Sequence, residues 1–255
     1  MQVGLIGCGN MARALARGWG RPLLCADPAP GRAESLAAEV GGQALESNAE
    51  VAARAQLVVL CHKPAQLAAV ASEIGAGATP VASILAVTPL AALREAYPGR
   101  PVYRFIPSLP VEVRQGAIVQ AADPQAGEDA GAAQVSALFA ELGTVVTLDD
   151  ALVDVATGLM SCAPAYVALV AEAQIDAGVR RGIPAAQGAQ MVVQTLAGTA
   201  ELLRRRGYDT LAVRREVSSP GGLTARGVDA LERAGLRRAF SDALDAVLQP
   251  TTPIS

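Results

Sequence analysis

The sequence predicts an α/β domain built on a doubly wound, mostly parallel sheet over residues 1–149. An all-α domain over residues 150–255 follows and pairs with a second copy of the chain. Three observations predict this. An apolar strand, Val3 to Ile6, runs into a glycine turn and then a helical pattern. Short apolar runs then alternate with helical patterns as far as Leu148, as a parallel sheet requires. From Asp149-Asp150 onward only helical patterns remain.

The glycine turn reads Gly7-Cys8-Gly9-Asn10-Met11-Ala12, a G-x-G-x-x-A spacing. Gly7 allows the tight turn, Gly9 admits a close phosphate, and Ala12 lets the helix pack near the sheet. A helix N-terminus offers free N–H groups and a partial positive charge, which suits a dinucleotide pyrophosphate. A tight strand–helix turn that binds nothing would share the spacing. With an apolar strand before it and a helix after it, the turn makes residues 1–149 a candidate Rossmann domain, with Gly7, Gly9, Asn10 and Met11 as cofactor-binding residues.

The second strand is expected at 22–26 and ends at Asp27, twenty positions after Gly7. An acidic residue there accepts hydrogen bonds from an adenosine ribose diol and favours NADH. Arg32 opens the next helix, where it can meet a ribose phosphate or stand as a solvated charge. The cofactor is therefore NADPH or NADH, with a slight lean to NADH from Asp27. The continuous apolar run 56–61 reads as a strand covered on both faces. His62, Lys63 and Pro64 follow it, at the carboxyl edge where ligands of such sheets bind. Further strands are expected at 81–85, 102–106, 116–121 and 144–148, with a helix at 125–142. Ser108 follows the strand at 102–106.

Composition narrows the function. The 255 residues are 51 % hydrophobic and 18 % charged, enough for a large core. Net charge is −3 with no basic block, which argues against nucleic acid as the main partner. His62 and Lys63 are the sole histidine and lysine, so no mechanism needing a second of either applies. Four scattered cysteines without a C-x-x-C imply neither a disulfide framework nor a metal site and fit a reducing cytoplasm. A strand starting at residue 2 leaves no expected signal peptide. The uncharged stretch 155–171 is at the short limit for a membrane span. Pro164 and small polar residues interrupt it, so a buried helix or subunit interface is expected and no membrane partner.

In the second half, helices are expected between breaks at Pro164, 182–184, 207–209, 218–222 and Gly235. Arg204, Arg205 and Arg206 suit the negative end of their helix better than a nucleic-acid patch. The apolar helices exceed what one small domain hides, which predicts burial against a second copy. Ser218 to Thr224 is the other chemically loaded stretch. It either caps a helix or leaves that helix's N–H groups free for a carboxylate. Ser161-Cys162-Ala163 is small enough to let a ligand, or merely another helix, approach its backbone.

The chain resembles the pyrroline-5-carboxylate reductases over nearly its whole length. The resemblance rests on Ile6 to Met11, Lys63-Pro64, Pro107 to Pro110, Pro164-Ala165-Tyr166, and Ser219-Pro220-Gly221-Gly222 followed by Thr224. It implies NAD(P)H-dependent reduction of the cyclic imine 1-pyrroline-5-carboxylate to L-proline. It also implies a homodimer with active sites between interleaved helical domains, and dimers that assemble further into rings. By carry-over, Thr224 lies near the substrate nitrogen as the catalytic hydroxyl. Ser219, Gly221 and Gly222 hold the carboxylate, with Ser161, Cys162 and Ala163 beside the substrate. Departures from the family pattern cluster at these places. They are Ser108-Leu109 for Asn-Thr, Ser161 where glycine is usual, Leu85 and Val87 in place of Ala and Gly, and Leu223. They leave two alternatives open: a same-fold reductase of another cyclic imine or small acid, and a cofactor-binding paralogue with little catalysis. A β-hydroxyacid dehydrogenase needs a lysine in its second domain, and no lysine lies beyond position 63.

Overall fold

The computed structural model describes residues 1–124 and 130–249. The expected helical residues 125–129 and the tail 250–255 lie outside the described residues. Two compact units divide at Pro164–Ala165.

The first unit is built on one eight-stranded sheet. Its strands are β1 (Val3–Ile6), β2 (Leu24–Ala26), β3 (Gln43–Ala44), β4 (Leu57–Leu60), β5 (Val81–Ser83), β6 (Val102–Pro107), β7 (Gly116–Ala122) and β8 (Gly143–Asp149). The spatial order is β3-β2-β1-β4-β5-β6-β7-β8, with the chain reversing direction across the sheet between β1 and β4. That reversal is the switch point at which doubly wound sheets bind ligands. Every neighbouring pair is parallel except β6 and β7. Only eight residues, 108–115, join that pair, too few for the crossover that a parallel pair needs. Strand β3 was not expected from the sequence. Two residues at a sheet edge are too short to leave a periodic signal.

The helices of this unit are α1 (Asn10–Trp19), α2 (Arg32–Val40), α3 (Asn48–Arg54), α4 (Leu67–Ile74), α5 (Leu90–Ala96), α6 (Ala130–Ala140) and α7 (Val153–Ala156). They cover both faces of the sheet. Leu5, Cys25, Val59 and Phe105 face α1 and α6, where Leu15, Trp19 and Phe139 complete one core. Ile6, Val58, Leu60, Val81 and Ile106 face the other way, onto Val51, Val70, Ile74 and Leu93 of α3, α4 and α5. Continuous apolar strands are what burial on both faces selects.

The second unit consists of helices, and their boundaries fall at the expected breaks. After the start of α8 (Ala163–Val179) come α9 (Ala185–Arg205), α10 (Thr210–Glu216), α11 (Leu223–Arg233) and α12 (Leu236–Leu248). No residue of α8, α11 or α12 is buried, while Val167, Leu169, Met191, Val193, Leu231 and Phe240 are exposed. Arg204 and Arg205 pair with Glu201, and Arg206 with Glu216, as solvated helix charges do. The helical run Asp150–Val179 is long and apolar enough to cross a membrane by length and composition alone.

Candidate active site

The carboxyl ends of β1, β4, β5 and β6 form one continuous edge. Register aligns Ile6 with Leu60, Leu60 with Ser83, and Ser83 with Arg104. Everything that leaves the sheet just beyond this row shares a rim.

The glycine turn occupies the β1 end. Gly7 has φ +93°, and a Cβ there would meet the Cys61 carbonyl carbon and the His62 nitrogen at 2.8 Å. Only glycine satisfies both constraints. A Cβ on Gly9 would meet nothing within 4 Å, so the space over the turn is open. Gly9 begins α1 without a side-chain cap. The N–H groups of Asn10, Met11 and Ala12 thus point out of the helix end, as a pyrophosphate requires. The residues present fit a dinucleotide.

Asp27 is already engaged within the chain. Its Oδ2 accepts from the Cys8 N–H at 2.7 Å and its Oδ1 from the Ala29 N–H at 2.9 Å. The carboxylate ties the end of β2 to the glycine turn. Arg32 opens α2 as expected and is exposed, with no ion pair among the described residues. Beneath the turn, the Cys8 thiol donates to the Ala26 carbonyl at 3.6 Å. Its neighbour Cys25 and burial push it up from the ordinary thiol range, which disfavours the thiolate.

His62, Lys63 and Pro64 leave β4 on the same rim. His62 Nδ1 lies 2.9 Å from the Lys63 carbonyl, which assigns the proton to Nδ1. Its Nε2 is buried without a partner among the described residues, and burial holds the imidazole below its usual pKa. The ring is neutral near pH 7. The Lys63 side chain is exposed.

Ser108 and Ser161 come together at the β6 end. The Ser108 hydroxyl accepts from the Ala117 N–H at 2.9 Å, and the residue is 3 % exposed. It brackets β6 to β7 and keeps its own proton and one lone pair for a ligand. Residues Thr157–Ser161 form a π-helical turn, closed by the Cys162 N–H on the Thr157 carbonyl at 3.2 Å. Such turns often sit at functional sites. The Ser161 hydroxyl donates to the Pro107 carbonyl at 3.0 Å. The side chain that stands where glycine is usual in the family is folded back onto the strand end beside Ser108. Cys162 and Ala163, which follow it, are half-buried.

A buried cation that the sequence reading missed holds this segment. Arg104, on β6, has a side chain with no exposed surface. Its guanidinium reaches Asp150 at 2.7 Å and Asp154 at 2.6 Å. The other oxygen of Asp150 accepts from the Leu90 N–H at the start of α5, at 2.9 Å. One arginine therefore joins β6, α5 and the residues leading into the π turn. A lone arginine inside Val102–Ile106 was the available signal.

In the second unit, Ser219 to Gly222 form a tight turn. The Gly222 N–H donates to the Ser219 carbonyl at 3.0 Å, and Gly221 has φ +70°. Proline second and a left-handed glycine third is the type II pattern. Gly222 then begins α11 with no side-chain cap. Thr224 is the second residue of the helix and is exposed. Ser219, Gly221, Gly222 and Thr224 thus share one helix entrance whose N–H groups are free for a carboxylate.

Comparison with known proteins identifies the family. The model of the pyrroline-5-carboxylate reductase dimerisation family matches residues 150–252. A Thermus thermophilus pyrroline-5-carboxylate reductase is 35 % identical over 253 residues, covering 96 % of this chain and 95 % of that one. The chain belongs to the pyrroline-5-carboxylate reductase family. A Synechocystis reductase is 33 % identical over 255 residues, again covering 96 % and 95 %. Residues 2–88 match the family described as NADP oxidoreductase coenzyme F420-dependent. Among solved structures, a 1-pyrroline-5-carboxylate reductase from Streptococcus pyogenes has a TM-score of 0.87 at 27 % identity, covering 97 % and 96 %. The Plasmodium falciparum enzyme with NADP bound has a TM-score of 0.86 at 24 % identity, covering 97 % and 95 %, and shares the fold. This reductase-family chain is an NAD(P)H-dependent oxidoreductase that works as an oligomer on a small molecule.

Proposed function

We propose that this protein reduces 1-pyrroline-5-carboxylate to L-proline. Full-length membership in the reductase family, carrying both the glycine turn and the Ser219–Thr224 helix entrance, is the observation that supports it most. Bound NAD(P)H supplies a hydride to the imine carbon, and the nitrogen ends with one more proton. A protonated imine is already electrophilic, so the chain needs no metal and no strong base. Orientation of two reactants accounts for up to roughly 7–11 kcal/mol of such a barrier.

The division of labour follows the chain. Residues 1–149 hold the cofactor through Gly7, Gly9, Asn10 and Met11 at the pyrophosphate and through His62, Lys63, Pro64 and Ser108 along the rim. Residues 150–255 pair two copies and hold the substrate. Ser219, Gly221 and Gly222 take its carboxylate, and Thr224 lies near its nitrogen. Ser161, Cys162 and Ala163 line the approach. The apolar run Asp150–Val179 is read as subunit interface rather than membrane span, and the enzyme as cytoplasmic. Dimers assemble into rings.

Cofactor choice rests on Asp27 and Arg32. The sequence leans to NADH. The engagement of Asp27 with Cys8 and Ala29, beside an Arg32 with no ion pair among the described residues, instead supports NADPH. Loss of NAD(P)H absorbance on adding pyrroline-5-carboxylate to the purified protein tests the function. Turnover with that imine supports it. Turnover with another imine alone, or cofactor binding without turnover, overturns it. Arg32→Ala should raise KM for NADPH and leave KM for NADH unchanged.

A further inference from the structure

Val87 is held in a conformation its side chain disfavours, with nothing among the described residues packed against most of it. Its φ is +54°, and it is the only β-branched residue with positive φ among those described. For such a residue the left-handed region is an outlier. Its side chain is nevertheless 76 % exposed, so burial does not compensate.

The strain is imposed from both sides. Before it, the Leu85 N–H donates to the Ser83 hydroxyl at 3.2 Å, and Leu85 is buried. After it, Thr88 is buried, with its hydroxyl on the Ala86 carbonyl at 3.0 Å, and Asp150 holds the Leu90 N–H. The isopropyl group projects from an anchored segment, and β-branching stiffens it further.

Its place gives it a partner. Ser83 ends β5 in the same register row as Leu60 and Ile6. The adenosine half of a dinucleotide lies toward β2, and the pyrophosphate lies at α1. The nicotinamide half therefore extends the other way, over β4 and β5. Two strand spacings, about 10 Å, separate β1 from β5.

We propose that Val87 lines the nicotinamide end of the cofactor groove and is a specificity-determining residue that limits the size of the cyclic imine fitting against that ring. The inference rests on the proposed imine reduction for its second half only. Its first half concerns the cofactor alone.

Two measurements test the halves separately. In the first, Val87→Asp, which tolerates positive φ, is compared with the parent protein for binding NADPH and ADP-ribose, which lacks nicotinamide. Weaker NADPH binding with unchanged ADP-ribose binding is expected. Equal effects on both ligands, or none on either, would overturn the placement, whether or not the protein reduces any imine. In the second, Val87→Ala and Val87→Gly are assayed with the five-membered imine acid and its six-membered homologue. A methylene in an apolar pocket discriminates about 10–200-fold. Both variants should raise the six-to-five ratio of kcat/KM by at least about tenfold. An unchanged ratio, or a change in Val87→Gly alone, would show that the backbone or a neighbouring copy, not the side chain's bulk, explains the residue. If the parent turns over neither imine, the proposed function fails while the first measurement still stands.

Discussion

The sheet unit and the helical unit solve the problem of apolar surface in opposite ways. Strands β1, β4 and β5 are buried along their whole length, and six helices of at least seven residues cover them. Helix α8 is of similar composition, yet none of its seventeen residues is buried within the chain. A sheet faced on both sides hides its apolar residues without help. A few helices in ninety residues cannot do so, and this many exposed apolar side chains mark an interface. The first unit therefore completes its own core. The second is half of a core.

The sharpest way to break this comparison is to place charge on the helical face. Leu169→Asp with Met191→Asp should give monomers by sedimentation and lower turnover by more than about a hundredfold, since each buried unpaired charge costs several kcal/mol. A variant that stays dimeric and active would show that these side chains face solvent. Cofactor binding by the first unit should survive the dissociation.

Within the first unit the largest expected effect lies at Arg104. Removing one partner of a buried ion pair costs about 3–5 kcal/mol. Asp150 and Asp154 are partly solvated, so Arg104→Met should lose somewhat less in denaturant unfolding. Arg104→Lys should recover part of the loss. Because the same cluster feeds the π turn and Ser161, substrate KM should rise more than cofactor KM. Unchanged stability in Arg104→Met would mean that water replaces the guanidinium without cost.

How much of this was legible in the sequence depends on distance along the chain. The parallel strands were readable because Gln56–Cys61 and its like are unbroken apolar runs, a local signal. The glycine turn was readable for the same reason. The Arg104 cluster was not, because its partners lie 46 and 50 residues away. Asp27 was half legible. Its position at the end of β2 followed from spacing, while its bond to the Cys8 N–H depends on how two strand ends meet. Ser161 was legible as a departure from glycine, and its turn toward Pro107 appears only once the π turn is built.

Gly7→Ala is a smaller perturbation that separates the two units' roles. Backbone strain of about 1–3 kcal/mol, with contacts at 2.8 Å to Cys61 and His62, should weaken cofactor binding about 5–150-fold and leave the dimer intact by sedimentation. Thr224→Ala should do the reverse within the monomer. It should lower kcat about tenfold, one hydrogen bond's worth, with cofactor affinity unchanged. Equal loss of both parameters would remove Thr224 from the substrate nitrogen.

The smallest expected effect is a pH dependence confined to the sheet unit. Burial keeps the His62 imidazole neutral in the folded state, while the unfolded chain titrates near 6.5. The Lys63 carbonyl and Glu73 pull the other way and reduce the shift without reversing it. Below pH 6.5 the unfolded state therefore binds a proton that the folded state refuses, and stability falls as pH drops from there toward the folded value. Above 6.5 the group contributes no slope. Carboxylates also titrate at the acid end, so the comparison is between the parent and His62→Gln. The parent should lose more stability than the variant between pH 7.5 and 5.5, and the helical unit's dimerisation should not follow the difference. Parallel losses in parent and variant would place the His62 ring in contact with solvent or with a compensating acid, and the rim of β4 would be wetter than its orphaned Nε2 implies.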